Sequence, residues 1–224
     1  NDYFDREIDR INRPDRPIPR GVVSPRGTVI YAGVLFLGAV ITAVTLPPLA
    51  ITIAVVNLLA LVAYTEFFKG TPGVGNVVVA YLTGSTFLFG GAAVGRPLDA
   101  VVLFALAALA TFTREVIKDV EDMAGDREEG LQTLPIVIGA DRALFIGLGV
   151  LIVALIASIT PYVRGTFGLA YVVLVLPADG LMLWGAVRSF DDPGLGQRRL
   201  KRGTFLATAA FVVGRLVALV GLPP

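Results

Sequence analysis

Seven long apolar stretches run through this chain, at approximately 27–46, 48–66, 74–94, 98–117, 142–161, 166–188 and 204–221. Each has about the 20 residues a helix needs to cross roughly 30 Å of hydrocarbon. The expected fold is therefore all-α, a polytopic bundle of transmembrane helices. With 55% hydrophobic side chains, 17% charged ones and a mean hydropathy of +0.76, the chain could not cover itself with polar surface as a soluble domain. No low-complexity linker interrupts it, so residues 1–224 read as one transmembrane domain. Nothing in the pattern implies a nucleic-acid or protein partner.

The connections between spans alternate in character. One set is charged: 1–26, 67–73, 114–141 and 188–203. The other is short and poor in charge, around Pro47, Arg96, Arg164 and the C-terminal "GLPP". The charged set, with Arg142 at its edge, carries 16 of the 19 Lys and Arg residues, and only Arg96, Arg164 and Arg215 lie apart from it. The positive-inside rule places that set in the cytoplasm. An integral membrane protein results, with its polar motifs gathered on the cytoplasmic face.

Two of these connections carry acidic stripes. In "NDYFDREIDRINRPDRPIPRG", Asp2, Asp5 and Asp9 fall at i, i+3 and i+7, on one face of a helix, with Asn1 beside them. In "TFTREVIKDVEDMAGDREEG", Glu115, Asp119, Asp122 and Asp126 form a second stripe flanked by Arg114 and Lys118. An isolated charge run is usually a solvated helix end. Like charges one turn apart repel, however, unless a cation lies between them. The chain has no Cys and no His, which leaves oxygen donors and selects a hard cation. Mg²⁺ prefers a few carboxylates completed by water and phosphate oxygens. Two facing stripes would hold it against a diphosphate leaving group, with Arg and Lys on the remaining phosphate oxygens. The apolar spans would shelter a hydrocarbon tail and exclude water from an allyl cation.

These motifs resemble the UbiA superfamily of intramembrane prenyltransferases. The opening stretch is similar to its first signature, NDxxDxxxD, and "DVEDMAGDREEGLQTLPIVIG" to its second aspartate motif with a Thr-Leu-Pro loop. "AYTEFFKGTPGVGNVVVAYLTG" resembles the family's Tyr/Lys motif, with four residues between Tyr64 and Lys69 where three are usual. The wording is most similar to the archaeal branch, which attaches a geranylgeranyl chain to an ether-lipid precursor. The resemblance implies Mg²⁺ as cofactor, and a prenyl diphosphate and a lipid-like acceptor as partners within the membrane lipids. It implies metal-binding roles for Asp2, Asp5, Asp9, Asp119, Asp122 and Asp126, with Asp2, Asp5, Asp122 and Asp126 catalytic. It assigns the diphosphate to Asn1, Arg13, Lys69, Arg114, Lys118 and Tyr64, with Arg16 as a further phosphate contact. It also implies nine spans, so the seven here would be the third to the ninth. The chain lacks an initiator methionine, in keeping with absent N-terminal helices.

Several residues stand apart from the motifs. Asp179 lies inside a span, either functional or packed against a neighbouring hydroxyl. Glu66 and Asn76 flank the middle motif and are candidates for the cavity. Trp184 and Tyr162 read as interface anchors, and "RRLKR" at 198–202 as a topology signal that also suits anionic headgroups. Two competing functions remain at this level. One is prenylation of an aromatic quinone, haem or chlorophyll precursor. The other is cation-coupled transport, which would place carboxylates near the bilayer midplane.

Overall fold

The structure, a computed structural model, describes residues 3, 6, 10, 14–68, 70–128 and 130–220. Asn1, Asp2, Asp5, Asp9, Arg13 and Lys69 lie outside the described residues. The described residues form helices and turns without strands, and seven of the helices are long and apolar enough to cross a membrane. Two compact units divide the chain, Asn1–Ile51 and Thr52–Pro224.

In the first unit, residues 14–24 turn through "PDRPIPRGVVS", with Gly21 at φ +71° supplying a backbone shape that other residues adopt only under strain. Helix α1 (Pro25–Ala43) then begins at Ser24, whose Oγ accepts the Gly27 N–H at 3.0 Å, with Pro25 at the first helical position. None of its residues is buried within the chain, and Tyr31, Val34, Phe36 and Leu37 all stand exposed. A helix apolar on every side belongs in lipid.

The second unit takes up the course of α2 (Pro48–Ala63), which ends in a π-helical turn at Tyr64–Phe68. There follow α3 (Val74–Ala93), a 3₁₀ turn (Pro97–Ala100), α4 (Val101–Glu128) and the short α5 (Leu134–Ile138). The chain closes with α6 (Ala140–Ser158), the single turn α7 (Thr160–Val163), α8 (Leu169–Arg188) and α9 (Pro193–Leu219). Helices pack closely where side chains are small, as lipid-embedded bundles require. A Cβ on Gly84 of α3 would stand 2.7 Å from the Phe104 carbonyl oxygen of α4. One on Gly185 of α8 would stand 2.9 Å from the Arg199 side chain of α9.

Two helices outrun the apolar stretches that announced them. The span expected at 98–117 belongs to a helix reaching Glu128, and the span expected at 204–221 begins at Pro193. At 1.5 Å per residue α4 is about 42 Å long, so its charged end projects past roughly 30 Å of hydrocarbon. The α9 extension begins where the Asp192 carboxylate accepts the Leu195 N–H at 2.8 Å, which puts "RRLKR" on a helix. Hydropathy marks the lipid boundary, whereas helix ends are set by caps.

Two packed clusters occupy opposite halves of this unit. Ile117, Leu144, Leu151, Met182, Ala186 and Leu200 fill the half nearer the charged connections. Tyr171, Val175, Ala210 and Phe211 fill the other, with Leu103 and Leu106 against them.

Candidate active site

The projecting end of α4 is stopped by a Schellman motif. Gly130 adopts φ +74°, its N–H donates to Arg127 O at 3.1 Å, and the Leu131 N–H donates to Asp126 O at 2.9 Å. The chain thereby doubles back, and the Gln132 N–H donates to Gly70 O at 3.1 Å. That bond ties the loop after α4 to the loop after α2. Between them lies a cavity of about 100 Å³. Its walls include Tyr64 from the π turn, Asn76 from the start of α3, Glu115, Lys118, Asp119 and Asp126 from α4, and Thr133 from the returning loop.

The polar groups here are arranged, not merely collected. Asn76 is 6% exposed, and its Nδ2 donates to Asp119 Oδ2 at 2.7 Å across 43 residues of sequence. This leaves the amide oxygen of Asn76 and the second oxygen of Asp119 available to a ligand. Lys118 Nζ lies 3.2 Å from Asp122 Oδ2, and Arg114 Nη1 lies 2.7 Å from Glu115 Oε1. Thr133 is buried, and its Oγ1 has no hydrogen-bond partner among the described residues. A buried hydroxyl beside carboxylates normally finds a partner, and a bound oxyanion or hydrated cation would supply one.

Of the residues expected at the site, Tyr64, Lys118, Asp119 and Asp126 come together. Asp122 stands about 60° round α4 from Asp119. It does not line the cavity and reaches it through Lys118. Arg114 also lies off the wall and neutralises Glu115. Glu66 is exposed and away from it, while Asn76 is inside it. Arg16 belongs to the other unit. The extra residue between Tyr64 and Lys69 coincides with the π turn, whose i→i+5 spacing takes up one residue more than an α turn. Thr133 is not among the residues that charge and spacing single out, and the Thr-Leu-Pro wording around it is the one signal that points to it.

Below this polar cavity lies a second, larger one of about 230 Å³, mainly apolar but with several threonine hydroxyls, Ser158 and Asp179 in its lining. The two are stacked on the same helix faces. On α3, Val79 lines the first and Thr83 the second; on α4, Glu115 lines the first and Thr111 the second. Each pair is separated by four residues, one helical turn or about 6 Å. Asp179 sits in the wall of the apolar cavity, 8% exposed, its Oδ2 2.7 Å from Ser158 Oγ. One carboxylate oxygen thus has a neighbouring hydroxyl as partner, while Oδ1 is buried without a hydrogen-bond partner among the described residues. The carboxylates of the polar cavity, by contrast, lie toward one end of the bundle, unlike those of a transporter acting at the midplane.

Among the described residues no three carboxylates approach closely enough to hold a metal ion by themselves. The donor set does fit a hard cation completed from elsewhere: Asp119 and Asp126 oxygens, the Asn76 amide oxygen and the orphaned Thr133 hydroxyl.

Comparison with known proteins shows the family. Residues 1–209 match the model of the UbiA prenyltransferase family. The chain is 63% identical over 224 residues to a protein of Haloquadratum walsbyi named digeranylgeranylglyceryl phosphate synthase, covering 99% of this chain and 78% of that one. Proteins of the same name in Halobacterium salinarum and Methanopyrus kandleri are 61% and 44% identical, covering 97% and 96% of this chain and 79% and 81% of theirs. A solved structure concerned with digeranylgeranylglyceryl phosphate synthase in membranes superimposes with a TM-score of 0.77 at 34% identity, covering 96% of this chain and 78% of that one. An integral membrane prenyltransferase, the chain belongs to the UbiA family.

Proposed function

We propose that this chain transfers a geranylgeranyl group from its diphosphate to a hydroxyl of a glycerol-phosphate ether-lipid precursor. The observation that carries this reading is the stacking of an acidic, lysine-bearing cavity on an apolar one, a single helical turn apart. That pair suits an amphiphile with a diphosphate head and a hydrocarbon tail. The choice of acceptor rests on the relatives, which bear the name digeranylgeranylglyceryl phosphate synthase. Residues 1–224 act as one prenyltransferase domain, and the charged end of the bundle faces the cytoplasm.

In this reading Asp119 and Asp126 would hold Mg²⁺ at the polar cavity, and the family resemblance gives Asp2, Asp5 and Asp9 of the first motif a metal-binding role and Asn1 a diphosphate contact. Bound there, Mg²⁺ would supply Lewis acidity toward the negative charge of the diphosphate. Asn76 orients Asp119, Asp122 keeps Lys118 extended along α4, and Lys118, Tyr64 and Lys69 contact phosphate oxygens. Arg13 adds to them, and Arg114 neutralises Glu115 so that the wall does not repel the anion. The C1–O bond of the donor breaks with its electron pair on the diphosphate. The acceptor oxygen forms the new C–O bond and its proton leaves with the diphosphate product. The surrounding apolar walls keep water from the allyl cation.

The test uses purified protein in lipid nanodiscs with labelled geranylgeranyl diphosphate. Geranylgeranylglyceryl phosphate should be labelled, and Asp126→Ala should abolish the transfer. Label appearing only on an aromatic acceptor, or on none, would overturn this assignment.

A further inference from the structure

The apolar cavity has a defined far end. Following each helix away from the polar cavity, its last lining residues are Phe87 on α3, Leu103 on α4, Ser158 on α6, Val175 on α8 and Phe211 on α9. Three of these, Leu103, Val175 and Phe211, are also members or neighbours of the packed cluster that fills the outer half of the bundle. Phe211 is fixed there by edge-on contacts with Phe167 and Tyr171, at ring separations of 5.7 and 5.0 Å. Tyr171 is itself held by a 2.6 Å hydrogen bond from its hydroxyl to Ser158 O. The cavity lies between two packed clusters, partly open at its side, and its outer end abuts aromatic rings that pack on one another. Voids of this kind forfeit dispersion contacts unless a ligand fills them.

Distance along the helices sets what fits. Asp119, at the polar cavity, is 16 residues from Leu103, and Asn76 is 11 residues from Phe87. At 1.5 Å per residue the wall lies about 16–24 Å from the Asn76–Asp119 bond. On α9, Ala207 lines the cavity one turn nearer the head than Phe211 and on the same face.

We propose that Phe211, with Leu103 and Phe87, forms the stop that sets the longest prenyl chain this enzyme accepts, and that Ala207 leaves the last turn of the cavity open. The proposal rests on the reading of the stacked cavities as a prenyl diphosphate site. A longer tail meets the packed aromatic cluster and has to displace it. A shorter tail leaves the end of the void unfilled.

The experiment measures kcat/KM for geranyl, farnesyl, geranylgeranyl and geranylfarnesyl diphosphates with one acceptor, and equilibrium binding of the same four. Opening the stop with Phe211→Ala should raise the preference for geranylfarnesyl over geranylgeranyl diphosphate by about tenfold or more, the scale on which apolar pockets discriminate size. Raising the floor with Ala207→Leu should shift preference from geranylgeranyl toward farnesyl diphosphate by a similar factor. If Phe211→Ala does not fold, Ala207→Leu decides, since it fills space that is already empty. Transfer with unchanged length ratios in the folded variants would overturn the proposal while leaving the proposed reaction intact. Length-dependent binding that shifts as expected, without transfer to the glycerol phosphate acceptor, would uphold the stop and overturn the acceptor assignment instead.

Discussion

Replacing Asn76 by alanine removes the side-chain donor that holds Asp119, at 2.7 Å and with Asn76 itself 6% exposed. Hydrogen bonds to a charged partner contribute about 1.5–3 kcal/mol. The cavity is partly open, so water can replace some of that, and about 1.5–2 kcal/mol is the expected loss. If Asp119 has to be oriented for diphosphate ionisation, the loss appears as a fall of about 10- to 30-fold in kcat/KM for the prenyl donor. Most of it should fall on kcat, because the carboxylate matters most as charge develops on the leaving group. Asn76→Asp should be worse, since it sets a second carboxylate against Asp119, and Asn76→Gln should recover part of the activity. The assay is steady-state transfer in nanodiscs with thermal unfolding measured in parallel. A folded Asn76→Ala variant within about twofold of the parent in kcat/KM would refute the argument that this amide orients the acid.

Three further outcomes follow from other parts of the molecule. Asp122→Ala breaks an ion pair whose partners are 43% and 48% exposed, which contributes less than about 1 kcal/mol to stability. Its thermal midpoint should stay within about 4 °C of the parent while kcat/KM for the prenyl donor falls by up to about fivefold, and unchanged kcat/KM would show that Asp122 does not position Lys118. Chelation with EDTA should abolish transfer and added Mg²⁺ should restore it; undiminished turnover in chelator would exclude the metal. Gly84→Val forces a side chain against the Phe104 carbonyl, 2.7 Å from the new Cβ, and should destabilise the bundle by about 1–3 kcal/mol in detergent unfolding. An unchanged midpoint would show that α3 and α4 separate freely.

The apolar runs and the spacing of the acids are local properties, and both are legible in the residues alone. A run of about 20 apolar residues has one physical solution in lipid, and residues at i, i+3 and i+7 share a helix face wherever the helix is placed. So the all-helical membrane fold, the stripe from Glu115 to Asp126 and the family resemblance all follow from the order of the amino acids. Which side of the stripe meets a cavity does not. Asp122 carries the same charge as Asp119 and lies on the same stripe, yet Asp119 lines the polar cavity and Asp122 does not. The difference is made by α3 and by the loop that Gly130 turns back toward Gly70. The partnership of Asn76 with Asp119, the orphaned hydroxyl of Thr133 and the aromatic stop at Phe211 likewise depend on residues far apart in sequence. Periodicity within one helix is fixed by its own backbone, but what that helix faces is decided by neighbours dozens of residues away. Only the packed tertiary structure brings those neighbours together.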